Sequence, residues 1–337
     1  MTFWLLLSIS YAQTLLIDQI PTSPLDTMTI RTFQGLASKS ELRRHVYFLA
    51  SDPMSGREAG TIYEKIAAAY LIAQHRCFGN EPFLAQGYVH AFALAPKRRD
   101  VEPPKRARKA SPAIVDTPYA WNVLACRRGK SLPDEYVILS AHYDHIGTTS
   151  KGEPYNGADD NGSGTAVLLE VARLLSLLPP PKRTIVFFHT AAEEKGLLGA
   201  MRFVRDSLIR LASIVAVLNA DMLGRTDTLH QVGDLYLYAI GSERASPKLK
   251  ALQETVNTLC CGWQFDYRYD DPKDPQRLFY RSDHYAFAKH GVPAVFYFGG
   301  LHDDYHQVSD DAEKIDFDRL HRASILIASL AWSLANL

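Results

Sequence analysis

Cysteine is scarce in this sequence: Cys77, Cys126 and the adjacent Cys260 and Cys261 are the only four in 337 residues. Their number and irregular spacing exclude a disulfide scaffold and a cysteine-ligated metal site. They are buried thiols or supply one structural bridge. Neighbouring cysteines bridge each other only with backbone strain, so a bridge from Cys260 or Cys261 is expected to reach a distant partner. An excess of either charge is also lacking. Thirty-seven basic residues balance thirty-seven acidic ones, which leaves no field to attract nucleic acid or anionic lipid. Past the N-terminus no stretch reaches the ~18 to 20 uninterrupted apolar residues of a membrane span, so the mature protein is expected to be soluble. No internal repeat or second compact domain stands out.

The chain holds 47% apolar residues, enough for a substantial core. Its first twelve, MTFWLLLSISYA, resemble the tail of a secretory signal with a small-residue cleavage site, although the run is short and has no basic start. Residues 1–12 are therefore read as a signal remnant, 13–35 as an N-terminal extension and 36–337 as one catalytic domain. The expected location is exported, periplasmic or secreted. Between Pro96 and Pro112, Lys97, Arg98, Arg99, Lys105, Arg106, Arg108 and Lys109 form a basic run without apolar periodicity, expected to be an exposed loop over 96–112.

Ser38 followed by Glu41 forms a capping box for a helix through LRRHVYFLA. The alanine-rich YEKIAAAYLIAQ predicts a second helix, and GYVHAFAL an extended segment. From residue 119 strands alternate with helices. YVILSA, TIVFFHT, SIVAVLNA and PAVFYFG are apolar on both faces, as expected of central strands covered on both sides. GTAVLLEVARLLSLL has apolar residues spaced for one helix face and is stopped by the triple proline at 179–181. The fold class is α/β: three layers, α/β/α, around a mixed, mostly parallel sheet.

Five segments place acids and histidines just past these strands: HYDHIG (His142, Asp144), GADDNGSG (Asp159), AAEEKGLLGA (Glu193, Glu194), NADMLGR (Asp221) and DDYHQVSD (His306). Carboxyl ends of strands in an open α/β sheet face one crevice, so distant segments can converge there. Imidazole nitrogen and carboxylate oxygen suit zinc. If His142 and His306 each bind one metal, Glu194 and Asp221 each bind one and Asp159 bridges, three carboxylates and a bridging hydroxide balance two Zn2+. Asp144, two residues beyond His142, is placed to support its imidazole. Adjacent Glu193 and Glu194 point in different directions, so Glu194 can bind metal while Glu193 acts as general base and acid. His145, His189, His284 and His302 lie near these segments but are set aside, and Ser282-Asp283-His284 reads as a helix cap.

These motifs, with SDHYAFAKHGVPAVFYFGG and the early LASDPMSGREAGT, resemble the two-zinc aminopeptidases of the bacterial leucyl aminopeptidase and aminopeptidase Y family over residues 36–337. The resemblance implies a zinc exopeptidase fold, two zinc ions per chain on His142, Asp159, Glu194, Asp221 and His306, and Glu193 as base with Asp144 supporting. It implies peptide substrates with a free N-terminus and a non-proline cis peptide between Asp159 and Asp160. The interval from Cys77 to Trp121 is too short for the domain that many such proteins insert there.

Glutaminyl cyclases share that fold with a single zinc, and they resemble the set without its first histidine. His142 and Asp144 therefore favour peptide hydrolysis. Dipeptidase or carboxypeptidase action stays open. A receptor-like relative without activity is disfavoured because no ligand position is missing.

Overall fold

The four runs apolar on both faces become four adjacent parallel strands in the computed structural model, which describes residue 16 and residues 26–94, 118–231 and 233–337. The signal-like segment 1–12 and the basic run 96–112 lie outside the described residues. In chain order the helices are α1 (Thr27–Leu36), α2 (Lys39–Leu49), α3 (Ile62–Cys77), α4 (Gly164–Ser176), α5 (Leu198–Arg205), α6 (Ser242–Ala245), α7 (Pro247–Cys260), α8 (His284–Ala288) and α9 (Phe317–Asn336). The strands are β1 (Glu81–Pro82), β2 (Val89–Ala93), β3 (Tyr119–Arg127), β4 (Leu132–His142), β5 (Arg183–Thr190), β6 (Ile214–Asp221), β7 (Tyr236–Ile240), β8 (Gln264–Asp266) and β9 (Ala294–Phe298).

Sheet order is β1-β3-β5-β4-β6-β9-β7-β8, with β1 and β2 sharing the outer edge of β3. The centre, β5-β4-β6-β9, is parallel throughout, while β3 and β7 flank it antiparallel. Alternation along each strand makes the layers. Val137, Leu139, Ile185 and Phe187 pack into one core with α4 and α9, while Ile138, Val186 and Phe188 pack into another with Ala200 and Phe203 of α5 and Phe287 of α8. The sheet is therefore mixed and covered on both faces.

The local signals act as read. Ser38 Oγ accepts the Glu41 N–H at 3.3 Å, and Thr61 caps α3 in the same way through Glu64. Phe33 of α1, ahead of residue 36, belongs to the same core as α4 and α9. The cysteine expectation needs correction: Cys260 and Cys261 are bonded to each other, while Cys77 and Cys126 are free. The pair sits at the end of α7, where the Cys261 and Gly262 N–H groups both close on the Asn257 carbonyl. Among the described residues no helix is long and apolar enough to cross a membrane.

Candidate metal centre

His142 is the last residue of β4 and Asp221 the last of β6, Glu193 and Glu194 follow β5, and His306 lies in the loop after β9. Because these strands run parallel, their carboxyl ends meet on one side of the sheet. His142 Nε2 lies 3.3 Å from Asp221 Oδ1 and 3.3 Å from Asp160 Oδ1. The other Asp160 oxygen, Oδ2, lies 3.0 Å from His306 Nε2, which is also 3.2 Å from Glu194 Oε2. One carboxylate thus faces both imidazoles.

The shared carboxylate belongs to Asp160, not to Asp159 as the sequence suggested. Asp159 turns away: its Oδ1 accepts the Gly224 N–H at 2.6 Å and its Oδ2 sits 3.2 Å from His302 Nε2. The non-proline cis peptide likewise falls one residue later, between Asp160 and Asn161. Asp310 holds this turn by accepting the backbone N–H groups of both Asp159 and Asp160. The contact between His302 and Asp159 also keeps His302 out of the cluster, as expected.

His145, set aside from sequence, joins the cluster. Its Nδ1 is 2.8 Å from Glu194 Oε1 and 3.8 Å from Asp160 Oδ2. The signal available was its spacing, three residues beyond His142 in a segment already leaving the strand. His189 instead pairs with His75, Nε2 to Nε2 at 2.9 Å, inside the core.

Asp144 supports His142 differently from the expectation. His142 Nδ1 lies 3.1 Å from the Asp144 backbone carbonyl, whereas the nearer carboxylate oxygen is 3.9 Å away. An Nδ1–H donated to that carbonyl leaves the Nε2 lone pair aimed at Asp160 and Asp221. The carboxylate instead accepts the Glu193 N–H at 3.1 Å. Burial pushes the Asp144 carboxyl up to about 8.

Ser282-Asp283-His284 does lead into α8 with Asp283 at the N-cap position, but the Asp283 side chain makes no capping hydrogen bond. Ser282 Oγ donates to Asp221 Oδ2 at 2.7 Å and accepts from Asn219 Nδ2 at 2.7 Å. Asn219 Oδ1 in turn accepts from Ser140 Oγ at 2.6 Å. This relay across β4 and β6 fixes the Asp221 carboxylate, and nothing in the local sequence announces it. Arg57 was missed too: fully buried, it donates to the carbonyls of Leu49, Tyr143, Asn156 and Gly157. It therefore ties the segments that carry His142 and Asp160 to the end of α2.

The donor set fits cations. His306 Nε2 is buried and makes no hydrogen bond although two carboxylate oxygens stand within 3.2 Å. Burial works against charge on His306, yet Asp160 and Glu194 lift its imidazole to about 10. Burial also raises Glu193 well above the usual carboxylate range, against the pull of His142. Three groups of donors each lie within 4.8 Å of one another: His142 with Asp160 and Asp221, His145 with Asp160, Glu194 and His306, and His142 with Glu193 and Glu194. Asp160 belongs to the first two, as a bridging ligand of two cations would.

A cleft opens over this cluster. Met222, Leu278, Phe296, Phe298 and Leu301 form its apolar wall, and Arg281 and Tyr305 also line it.

The profile of peptidase family M28 matches residues 122–331. A relative named probable zinc metalloprotease, from Pyrenophora teres f. teres (strain 0-1), is 30% identical over 234 residues, 64% of this chain and 48% of its own length. Leucine aminopeptidase 1 of the same organism is 28% identical over 245 residues, 68% of this chain and 59% of its own. The chain thus spans about half the length of these curated relatives. Among solved structures, a zinc aminopeptidase from Bacillus subtilis matches with TM-score 0.67 and 17% identity, covering 89% of this chain and 96% of that one. A Porphyromonas gingivalis glutaminyl cyclase matches with TM-score 0.65 and 20% identity, covering 88% and 98%. At these identities the likeness is one of fold.

Proposed function

This chain belongs to peptidase family M28, and from that premise we propose that it is a zinc-dependent aminopeptidase acting on peptides with a free N-terminus. The observation that carries the reading is Asp160, whose two carboxylate oxygens face His142 and His306 separately. His142, Asp160 and Asp221 would hold one zinc ion; Asp160, Glu194 and His306, with His145 beside them, would hold the second. Bound zinc would polarise the scissile carbonyl and acidify water.

The protein's own groups supply the rest. Glu193, at the cleft and raised by burial, takes a proton from the attacking water at its carboxylate and returns it to the leaving amine. The Asp144 carboxylate fixes the Glu193 backbone, so the base keeps its place relative to His142. Acidic oxygens around the cleft attract the free α-ammonium, and the apolar wall takes the first side chain. Tyr305 presents a phenol at the same cleft. Export of the mature protein belongs to the same proposal, supported by the apolar first twelve residues.

Hydrolysis of leucine p-nitroanilide and of leucyl peptides, measured beside their N-acetylated forms, tests this reading. The free-amine substrates should be cleaved, the acetylated ones should not, and a zinc chelator should stop the reaction. Cleavage indifferent to acetylation would overturn the aminopeptidase assignment. Ring closure of N-terminal glutamine without peptide hydrolysis would assign the site to cyclisation instead.

A further inference from the structure

Four acids, an imidazole and a phenol line the cleft, and with them stands one guanidinium. Among the described residues Arg281 is the only Lys or Arg that lines this cleft, and none of them places a carboxylate within ion-pair distance of it. Its partner is a phenol: Arg281 Nη2 donates to Tyr305 Oη at 3.2 Å. The root of the side chain is fixed. Arg281 directly precedes Ser282, which holds Asp221 at 2.7 Å, and Asp283, which accepts from the Thr190 hydroxyl at the end of β5. A guanidinium that has a phenol but no carboxylate for a partner, anchored to the framework of the site and facing a cleft, matches a planar anion, above all a carboxylate.

Position limits where that carboxylate can be: Arg281 lines the same cleft as His142, Glu193 and Asp221. The apolar wall and the acidic floor already claim the first side chain and the α-amine. The residue beyond the scissile bond spans at most about 3.6 Å, so the anion that this shared cleft brings nearest to Arg281 is the C-terminal carboxylate of that very next residue. Resting on the aminopeptidase reading above, we infer that Arg281 anchors that carboxylate and makes free dipeptides the preferred substrates. Without Arg281 no Lys or Arg among the described residues would line the cleft to meet a carboxylate.

The test compares three leucyl substrates on the zinc-loaded protein: Leu-Gly, its C-terminal amide Leu-Gly-NH2, and Leu-Gly-Gly, whose carboxylate lies one residue farther out. A hydrogen-bonded ion pair predicts kcat/KM for Leu-Gly at least about ten-fold above the other two. In Arg281→Gln the ratios should fall to near one, with Arg281→Lys between. Binding gives a second readout free of turnover: calorimetry on Glu193→Gln should find Leu-Gly bound about ten-fold more tightly than its amide. Equal values for acid and amide in the wild-type protein, or ratios retained in Arg281→Gln, would overturn the inference while leaving the aminopeptidase reading intact. A preference for glutamyl over leucyl amides that Arg281→Gln abolishes would move the guanidinium to the first side chain, and would also overturn it. If no leucyl substrate is cleaved, the aminopeptidase reading itself fails and the inference falls with it.

Discussion

The Asp144 carboxylate accepts the backbone N–H of Glu193 at 3.1 Å, while the Asp144 carbonyl faces His142 Nδ1 at 3.1 Å. One residue thus registers the β4 ligand against the residue after β5 assigned as base. Asp144→Ala keeps the carbonyl and removes the carboxylate. It should lower kcat about ten- to hundred-fold through a misplaced Glu193, the usual scale for an outer partner of a metal site. Zinc affinity should change much less. A loss confined to metal binding would assign the carboxylate to His142 instead.

Glu193→Gln removes the proton-transfer group and keeps the shape. It should retain zinc and lose about 10²- to 10⁴-fold in kcat. Metal content and single-turnover rates on leucine p-nitroanilide measure the two separately, and an active variant would show that another group moves the proton.

Arg57 concerns stability. Arg57→Met would leave the carbonyls of Leu49, Tyr143, Asn156 and Gly157 without their buried donor, and a buried unsatisfied polar group costs about 1 to 3 kcal/mol. Denaturant unfolding should show a loss of about 3 kcal/mol or more. A change below 1 kcal/mol, about the net worth of one ordinary hydrogen bond, would mean that water replaces the guanidinium.

Buried histidines away from the cluster set an acid limit. Burial holds His45, His75 and His284 down to about 3 and His189 well below its ordinary value. In the unfolded chain each takes up a proton near pH 6.5. Their contribution to stability is therefore complete above about pH 6.5 and is lost as pH falls toward 3, by about 1.4 kcal/mol per pH unit for each. Between pH 6 and 4, His75→Gln should flatten the fall in unfolding free energy by about one proton. An unchanged slope would mean that His75 is charged in the folded protein.

The central sheet was legible because each of its four parallel strands is buried on both faces, and an unbroken apolar run in the sequence is the direct result. β7 was not singled out. Its tyrosines Tyr236 and Tyr238 direct their hydroxyls to Asp227, from another segment. Within the centre, His142, Glu193, Glu194 and Asp221 were legible because strand ends place them, and His306 from the DDYHQVSD segment in the loop after β9. The choice between Asp159 and Asp160 was not, because it is made by Gly224, His302 and Asp310, far away in sequence. Ser282 was read as a local cap for the same reason: its partners, Asp221 and Asn219, come from another strand.

The account depends on Asp160 being the carboxylate shared by two cations. Zinc counted per chain after dialysis, in the wild-type protein and in the paired variants Asp159→Asn and Asp160→Asn, tests it most directly. Two ions in the wild type and in Asp159→Asn, with one or none in Asp160→Asn, is the predicted result. Two ions retained by Asp160→Asn, or a single ion in the wild type at saturation, would contradict it.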